Sequence, residues 1–216
     1  VRGLYDRVID VEKCWLQPDP SNEIRNEVRR FSLENGLTFF KLREQTGLLR
    51  TMHIRVTTSG EVMVVIIFAE EDEKNRSLLL DHLISAFPNM TSLQYGVNTK
   101  GNDIITDLAL ILVHGKDYIV ERIDNLQFNI GAKSFFQTNT KQAHRLYGRV
   151  KELAGLTGQE IVYDLYTGTG TIALFLAGSA SKVTGVESVP EAIEDAYANA
   201  ALNGITNCNF VVGDTR

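Results

Sequence analysis

The stretch "VYDLYTGTGTIALFLAG" (Val162–Gly178) constrains the fold of this chain more than any other. An apolar run ends in a Gly-x-Gly turn, and a second apolar run follows it. The same grammar continues downstream: "KVTGVE" reads as a strand, "PEAIEDAYANAALNG" as a helix and "NFVVGD" as a third strand. Strands alternating with helices imply right-handed crossovers and a parallel sheet. The expected strands cover 161–165, 182–187 and 209–213, with helices over 170–177 and 190–203. Ser188 and Glu191 fit a capping box for the last helix, with Pro190 in its first turn.

The upstream sequence follows a different pattern. "PDPSNEIRNEVRRFSLENG" predicts a helix with Ser21 or Asp19 as N-cap and Gly36 as stop. "TMHIRVTTSGEVMVVIIFAEE" predicts a hairpin about Ser59-Gly60, and "EKNRSLLLDHLISAF" a helix closed by Pro88. "DLALILVHGKDYIVERI" predicts a second hairpin, turning near His114-Gly115. Mixed hairpins and helices describe an α+β domain over 1–130. Residues 131–216 form the α/β part, opening with a helix that Asn139 and Gln142 cap. On that helix Ala143, Leu146, Tyr147, Val150, Leu153 and Ala154 share one expected buried face.

Composition excludes some functions. No apolar run approaches the roughly 18 residues of a membrane span. Cys14 and Cys208, near opposite ends, make neither a disulfide framework nor a self-contained zinc site, so a reducing cytoplasm is expected. The net charge of −5 argues against a general nucleic-acid coat. Charge is uneven, however: 131–151 holds Lys133, Lys141, Arg145, Arg149 and Lys151 and no acid. His53, His82, His114 and His144 lack metal-ligand spacing and read as structural or solvated.

Ligands of open parallel sheets bind beyond the C-terminal strand ends. Gly168 and Gly170 let the chain turn tightly there and approach a ligand closely. "GTGTIA" also fits the dinucleotide pattern G-x-G-x-x-A. Two acids favour S-adenosylmethionine instead. Asp164 precedes the turn, where a carboxylate suits a cationic methionine moiety, and Asp214 ends the third strand, where it suits an adenine amino group. Glu187 ends the second strand, where a carboxylate can accept hydrogen bonds from both ribose hydroxyls.

Together with "KSFFQTNTKQAHRLY", these residues resemble the RNA uracil-5 methyltransferase family, in particular its 23S ribosomal RNA branch. The likeness is strongest over 130–214. It implies an α+β central domain followed by the first half of a class I, Rossmann-like S-adenosylmethionine-dependent methyltransferase sheet. It implies cofactor contacts at Gln137, Tyr166, Thr171, Glu187 and Asp214, beside Gly168 of the turn. Many relatives carry cysteine and asparagine where this chain has Thr167 and Thr171. It implies RNA as partner, with the basic helix face turned to it. Cys14 falls where iron–sulfur members place a ligand of a 4Fe–4S cluster, although four thiolates are usual for such a cluster.

The family reaction uses a cysteine that attacks uracil C6 and a base that removes the C5 proton. The resemblance puts both outside this chain, so no catalytic residue is expected within it. The chain reads as a catalytically incompetent fragment, lacking an N-terminal RNA-binding barrel and a C-terminal catalytic part. Its strand 161–165 would then present an open edge prone to self-association. Methylation of another nucleobase position, action on tRNA and a non-catalytic RNA-binding module are the alternatives.

Overall fold

Seven consecutive apolar residues, Val62–Phe68, suit a strand covered on both faces, and all seven are buried. They anchor the first of two units. The computed structural model describes residues 9–214, and the chain divides between Ile119 and Val120.

In the first unit, helix α1 (Ser21–Glu34) precedes strands β1 (Leu49–Val56) and β2 (Val62–Phe68). These pair antiparallel about Ser59-Gly60, where Gly60 takes φ +88°. Helix α2 (Glu73–Ala86) crosses over to β3 (Ser92–Val97), parallel to β2. Strand β4 (Ile111–Gly115) then returns antiparallel to β3, giving the order β1-β2-β3-β4. Ile24, Val28, Leu79 and Leu83 of the two helices pack on Val64, Ile66, Phe68 and Leu93 of the sheet.

Two expectations change here. Neither Ser21 nor Asp19 caps α1. Pro20 holds the N-cap position, Ser21 Oγ donates to the Pro18 carbonyl, and Asp19 accepts from the Asn22 side chain. The expected hairpin about His114-Gly115 does not form either. β4 pairs with β3, with Leu93 opposite His114. The following strand β5 (Tyr118–Ile123) pairs instead with β6 (Leu126–Gly131), turning through Asp124 at φ +53°. The two-residue loop Asp124-Asn125 between alternating strands is the local signal for that hairpin.

This pairing also moves the division from the expected residue 130 to 119/120. The β5–β6 hairpin is stitched into the second unit. Its next elements are α3 (Thr140–Ala154), β7 (Ile161–Leu165), α4 (Thr171–Ala177), β8 (Lys182–Glu187), α5 (Pro190–Leu202) and β9 (Cys208–Val212). The Gln127 amide donates to Asn203 Oδ1 at 2.8 Å, and the Asn129 amide to Asn199 Oδ1 at 2.8 Å, tying β6 to α5. Thr140 Oγ1 donates to buried Glu121 at 2.8 Å, tying α3 to β5.

β7, β8 and β9 are parallel neighbours in that order. Among the described residues β7 is an edge. α3 is capped as expected, since Asn139 accepts from the Gln142 amide and Gly155 closes the helix in the left-handed region. Its buried face is narrower than expected, however. Ala143 and Tyr147 are buried, whereas Leu146 and Leu153 are exposed. The Ser188–Glu191 capping box does not form: Val189 is the N-cap with no side-chain bond, and Ser188 Oγ turns back to Glu187.

Candidate functional site

The site is built at the C-terminal ends of the three parallel strands. β7 ends at Leu165, and the chain bends through Tyr166, Gly168 and Gly170 at φ +65°, +54° and +81° into α4. A left-handed tyrosine costs roughly 1–2 kcal/mol, and strain of this kind concentrates at functional sites. Tyr166 is also exposed. Its ring is held out beside the turn.

The glycines serve different ends. A Cβ on Gly168 would meet nothing within 4 Å, so the space over that residue is open to a ligand. A Cβ on Gly170 would come 3.0 Å from Ala196 and 3.1 Å from the Phe210 ring, so this residue is required for packing. Gly185 of β8 does the same work, since a Cβ there would lie 2.6 Å from Phe210 and 2.8 Å from Thr167 Oγ1.

Glu187 closes β8, and its carboxylate bridges the site. Oε2 accepts from the Gly168 amide at 3.2 Å. Oε1 accepts from the Ser188 and Val189 amides at 2.7 and 3.1 Å. Burial raises the carboxyl pKa, but the bonds from Val189, Ser188 and Gly168 outweigh it and hold the group below its ordinary value. The carboxylate is therefore ionised and aimed at the turn, as an acceptor for vicinal hydroxyls must be.

Asp164 has a different position from the one expected. Its Oδ2 accepts from Thr167 Oγ1 at 2.7 Å and from the Ala173 amide at 3.1 Å, bracing the turn against α4. Burial pushes its pKa up despite these bonds. Asp164 thus holds the turn in shape from beneath. Thr171, the first residue of α4, is buried with its hydroxyl 3.4 Å from that of Thr169.

Asp214 follows β9 two residues beyond its end, at the same sheet edge as Glu187, and is exposed. Gln137 is exposed in the segment between β6 and α3, while Phe136 beside it is buried, 5.9 Å from Phe128. Tyr166, Gly168, Thr171 and Glu187 are thus brought together by one turn and its hydrogen bonds. Asp214 joins them by sheet register, and Gln137 sits on a separate loop. The open space, the ionised acid and the exposed ring fit an adenosine-bearing ligand.

Residues not expected from sequence support the turn. Thr167 is buried, and its amide donates to the Val186 carbonyl at 3.0 Å. Asn199 is buried within α5, and its Nδ2 reaches the Thr169 carbonyl at 3.4 Å. A glycine inside a strand and an asparagine inside an alanine-rich helix are the signals that mark Gly185 and Asn199.

Neither cysteine lies at this edge. Cys208 begins β9, at the opposite end of the strand, and burial followed by the charge of Asp164 pushes its thiol up to about 11. Cys14 belongs to the first unit, where its amide donates to Asn22 Oδ1 at 2.7 Å. Among the described residues no three metal-ligating side chains converge, so Cys14 has no co-ligands there and the residues present do not fit an iron–sulfur cluster.

Residues 156–216 match the family model of a methyltransferase domain. Across its whole length the chain is 50% identical to an uncharacterized RNA methyltransferase of Porphyromonas gingivalis, covering 47% of that protein. It is 48% identical to one from Bacteroides thetaiotaomicron, covering 48% of it. The chain therefore spans about half the length of the curated relatives it matches. Among solved structures it is similar to the Pyrococcus abyssi tRNA (uracil-54, C5)-methyltransferase in complex with S-adenosyl-L-homocysteine. That match has a TM-score of 0.80 and 29% identity, over 97% of this chain and 50% of the other. The fold is accordingly α/β: an α+β unit followed by a parallel sheet of the class I methyltransferase type. No helix among the described residues is long and apolar enough to cross a membrane.

Proposed function

We propose that this chain is the methyl-donor-binding part of an RNA uracil-5 methyltransferase, with a uridine of 23S ribosomal RNA as substrate. The bond from the Gly168 amide to Glu187 carries the proposal, because it brings an ionised acid and an open glycine to one strand edge. S-adenosylmethionine supplies the methyl group when bound. Glu187 takes its ribose hydroxyls, Tyr166 flanks it above the turn, Asp214 meets its adenine and Gln137 reaches its methionine end. Thr171 and Gly168 shape the floor.

The nucleophile is assigned to a part of the protein outside this chain. A thiol held near 11 is scarcely ionised at neutral pH, and Cys208 lies at the wrong end of its strand. This chain alone is inactive and binds S-adenosylhomocysteine weakly or undetectably by calorimetry. Its exposed β7 edge is a route to self-association.

The longer protein should release tritium from 5-tritiated uridine in ribosomal transcripts and form a covalent adduct with 5-fluorouridine RNA. Methyl transfer without tritium release would overturn the uracil-5 assignment. A second reading, with tRNA as substrate, is favoured by the likeness to the Pyrococcus abyssi tRNA (uracil-54, C5)-methyltransferase. Tritium release from tRNA transcripts alone would select it.

A further inference from the structure

The basic residues of 131–151 fall into two groups once α3 is formed. Lys141, Arg145 and Arg149 recur every four positions and make one stripe along the helix. The stripe lies about 180° around the helix from Ala143 and Tyr147. Those two form the buried face, where the Tyr147 ring meets Phe175 of α4 at 5.8 Å. All three stripe residues are exposed. Lys151 is exposed too, but it stands about 120° from Arg145, in the last turn.

The stripe works against its own helix. Like charges four residues apart repel, and two such pairs follow one another here. Lys141 also stands in the first turn, where the helix dipole disfavours a cation. Helices α1, α2 and α5 place Glu23, Glu73 and Glu191 in that turn, whereas α3 has no acid there. Lys151, by contrast, complements the dipole from the last turn. Among the described residues Lys141 and Arg145 form no ion pair, in a chain with 27 acids and 22 bases. Arg149 bonds Glu152 at 2.6 Å, but both side chains are more than half exposed, so water and salt screen the pair.

Local energetics therefore do not account for the stripe, and an external polyanion does. Cations on one rigid face, about 6 Å apart along the axis, suit a linear row of phosphates better than a single anion. We infer that Lys141, Arg145 and Arg149 form a track for the phosphate backbone of the substrate RNA, and that Lys151 stands outside it. RNA as the polyanion rests on the function proposed above and on the likeness to RNA methyltransferases. The segment that carries Gln137 runs directly into this helix. The track thus begins a few residues after a proposed contact of the methyl donor.

The test uses the whole chain with a labelled single-stranded RNA 20-mer, titrated by fluorescence anisotropy at several KCl concentrations. Each phosphate contact contributes about 0.7 to the slope of log affinity against log salt for single strands. Arg145→Gln should make the slope shallower by about that amount, and Arg145→Lys should keep it. The triple variant Lys141→Gln, Arg145→Gln, Arg149→Gln should bind roughly tenfold or more weakly at low salt and lose about 2 from the slope. Lys151→Gln removes one charge from the same helix and should leave the slope unchanged. Because the stripe repels itself, the triple variant should melt at or above the wild-type Tm. An unchanged slope in the triple variant would overturn the track while leaving the RNA reading intact. An equal loss from Lys151→Gln and Arg145→Gln would show net charge acting without a track. Displacement of the RNA by poly-glutamate at matched charge would assign the stripe to an acidic protein surface instead. A triple variant that no longer folds would mark the stripe as structural and overturn the inference. A wild-type chain that binds no RNA at the lowest salt would also overturn it, while tritium release by the longer protein decides the RNA reading separately.

Discussion

The four-stranded sheet of the first unit and the three-stranded sheet of the second are covered differently. β2 in the first unit buries every residue from Val62 to Phe68. β7 in the second alternates, with Ile161, Tyr163 and Leu165 exposed at 60%, 67% and 55%. Parallel sheets are ordinarily covered on both faces. In the second unit α4 and α5 pack on the strands, yet the face that carries Tyr163 and Leu165 is apolar and bare. The first sheet is therefore a finished core. The second has been shaped mainly along its C-terminal edge, where the glycine turn, Glu187 and Asp214 meet.

That contrast predicts unequal mutational costs. Phe68→Ala should destabilise the first unit by about 3–5 kcal/mol, because Phe68 is wholly buried and packs edge-on to Tyr95 at 6.1 Å. Leu165→Ser should change stability by under about 0.5 kcal/mol, as surface substitutions do. Urea denaturation of both variants measures the difference. Equal costs would show that the bare face is covered in solution.

A smaller effect tests the hairpin that sequence patterning misplaced. Asn199→Ala removes the acceptor of the Asn129 amide and should cost about 1–3 kcal/mol. Amide exchange should then rise in β6 and α5 together, and unchanged protection of β6 would detach the hairpin from this unit.

The smallest effects are in pH dependence, and the two units have opposite signs. Bonds from Arg30 and then His82 lower Glu27 of α1 from 4.5 to about 2. Its contribution is present above the unfolded value and is lost as pH falls through about 2. Burial raises Asp164 above its ordinary 3.8. Its contribution is present below that value and is lost as pH rises through the folded one. Hydrogen exchange in α1 and α4 across this range should therefore show opposite slopes, with Glu27→Gln and Asp164→Asn each flattening its own. Slopes of the same sign in the two helices would refute the assignment.

Much of the fold was legible because its signals are local. The crossover strands, the Ser59-Gly60 turn and the Asn139 cap each depend on residues within a few positions of one another. The caps of α1 and α5 were misread for a physical reason that sequence spacing does not show. Ser21 and Ser188 donate their hydroxyls to the Pro18 carbonyl and the Glu187 carboxylate, and neither accepts from the helix amides it precedes. The wider apolar stripe of α3 was legible too, but periodicity says which residues share a face and not whether a neighbour covers them.

Sequence by itself determined the alternation of helix and strand downstream of residue 140, the glycine turn and the chemical types at the strand ends, since φ preference, branching and charge belong to single residues. Tertiary structure decided what those groups do. It paired β4 with β3 and β5 with β6, because hydrogen-bond partners are chosen among all strands present. It turned Asp164 inward to Thr167 and Ala173, and drew Glu187 to the Gly168 amide 19 residues away in sequence. Burial and partnership depend on the whole packed chain, and those two quantities separate a structural carboxylate or cation from one that is free to meet a ligand.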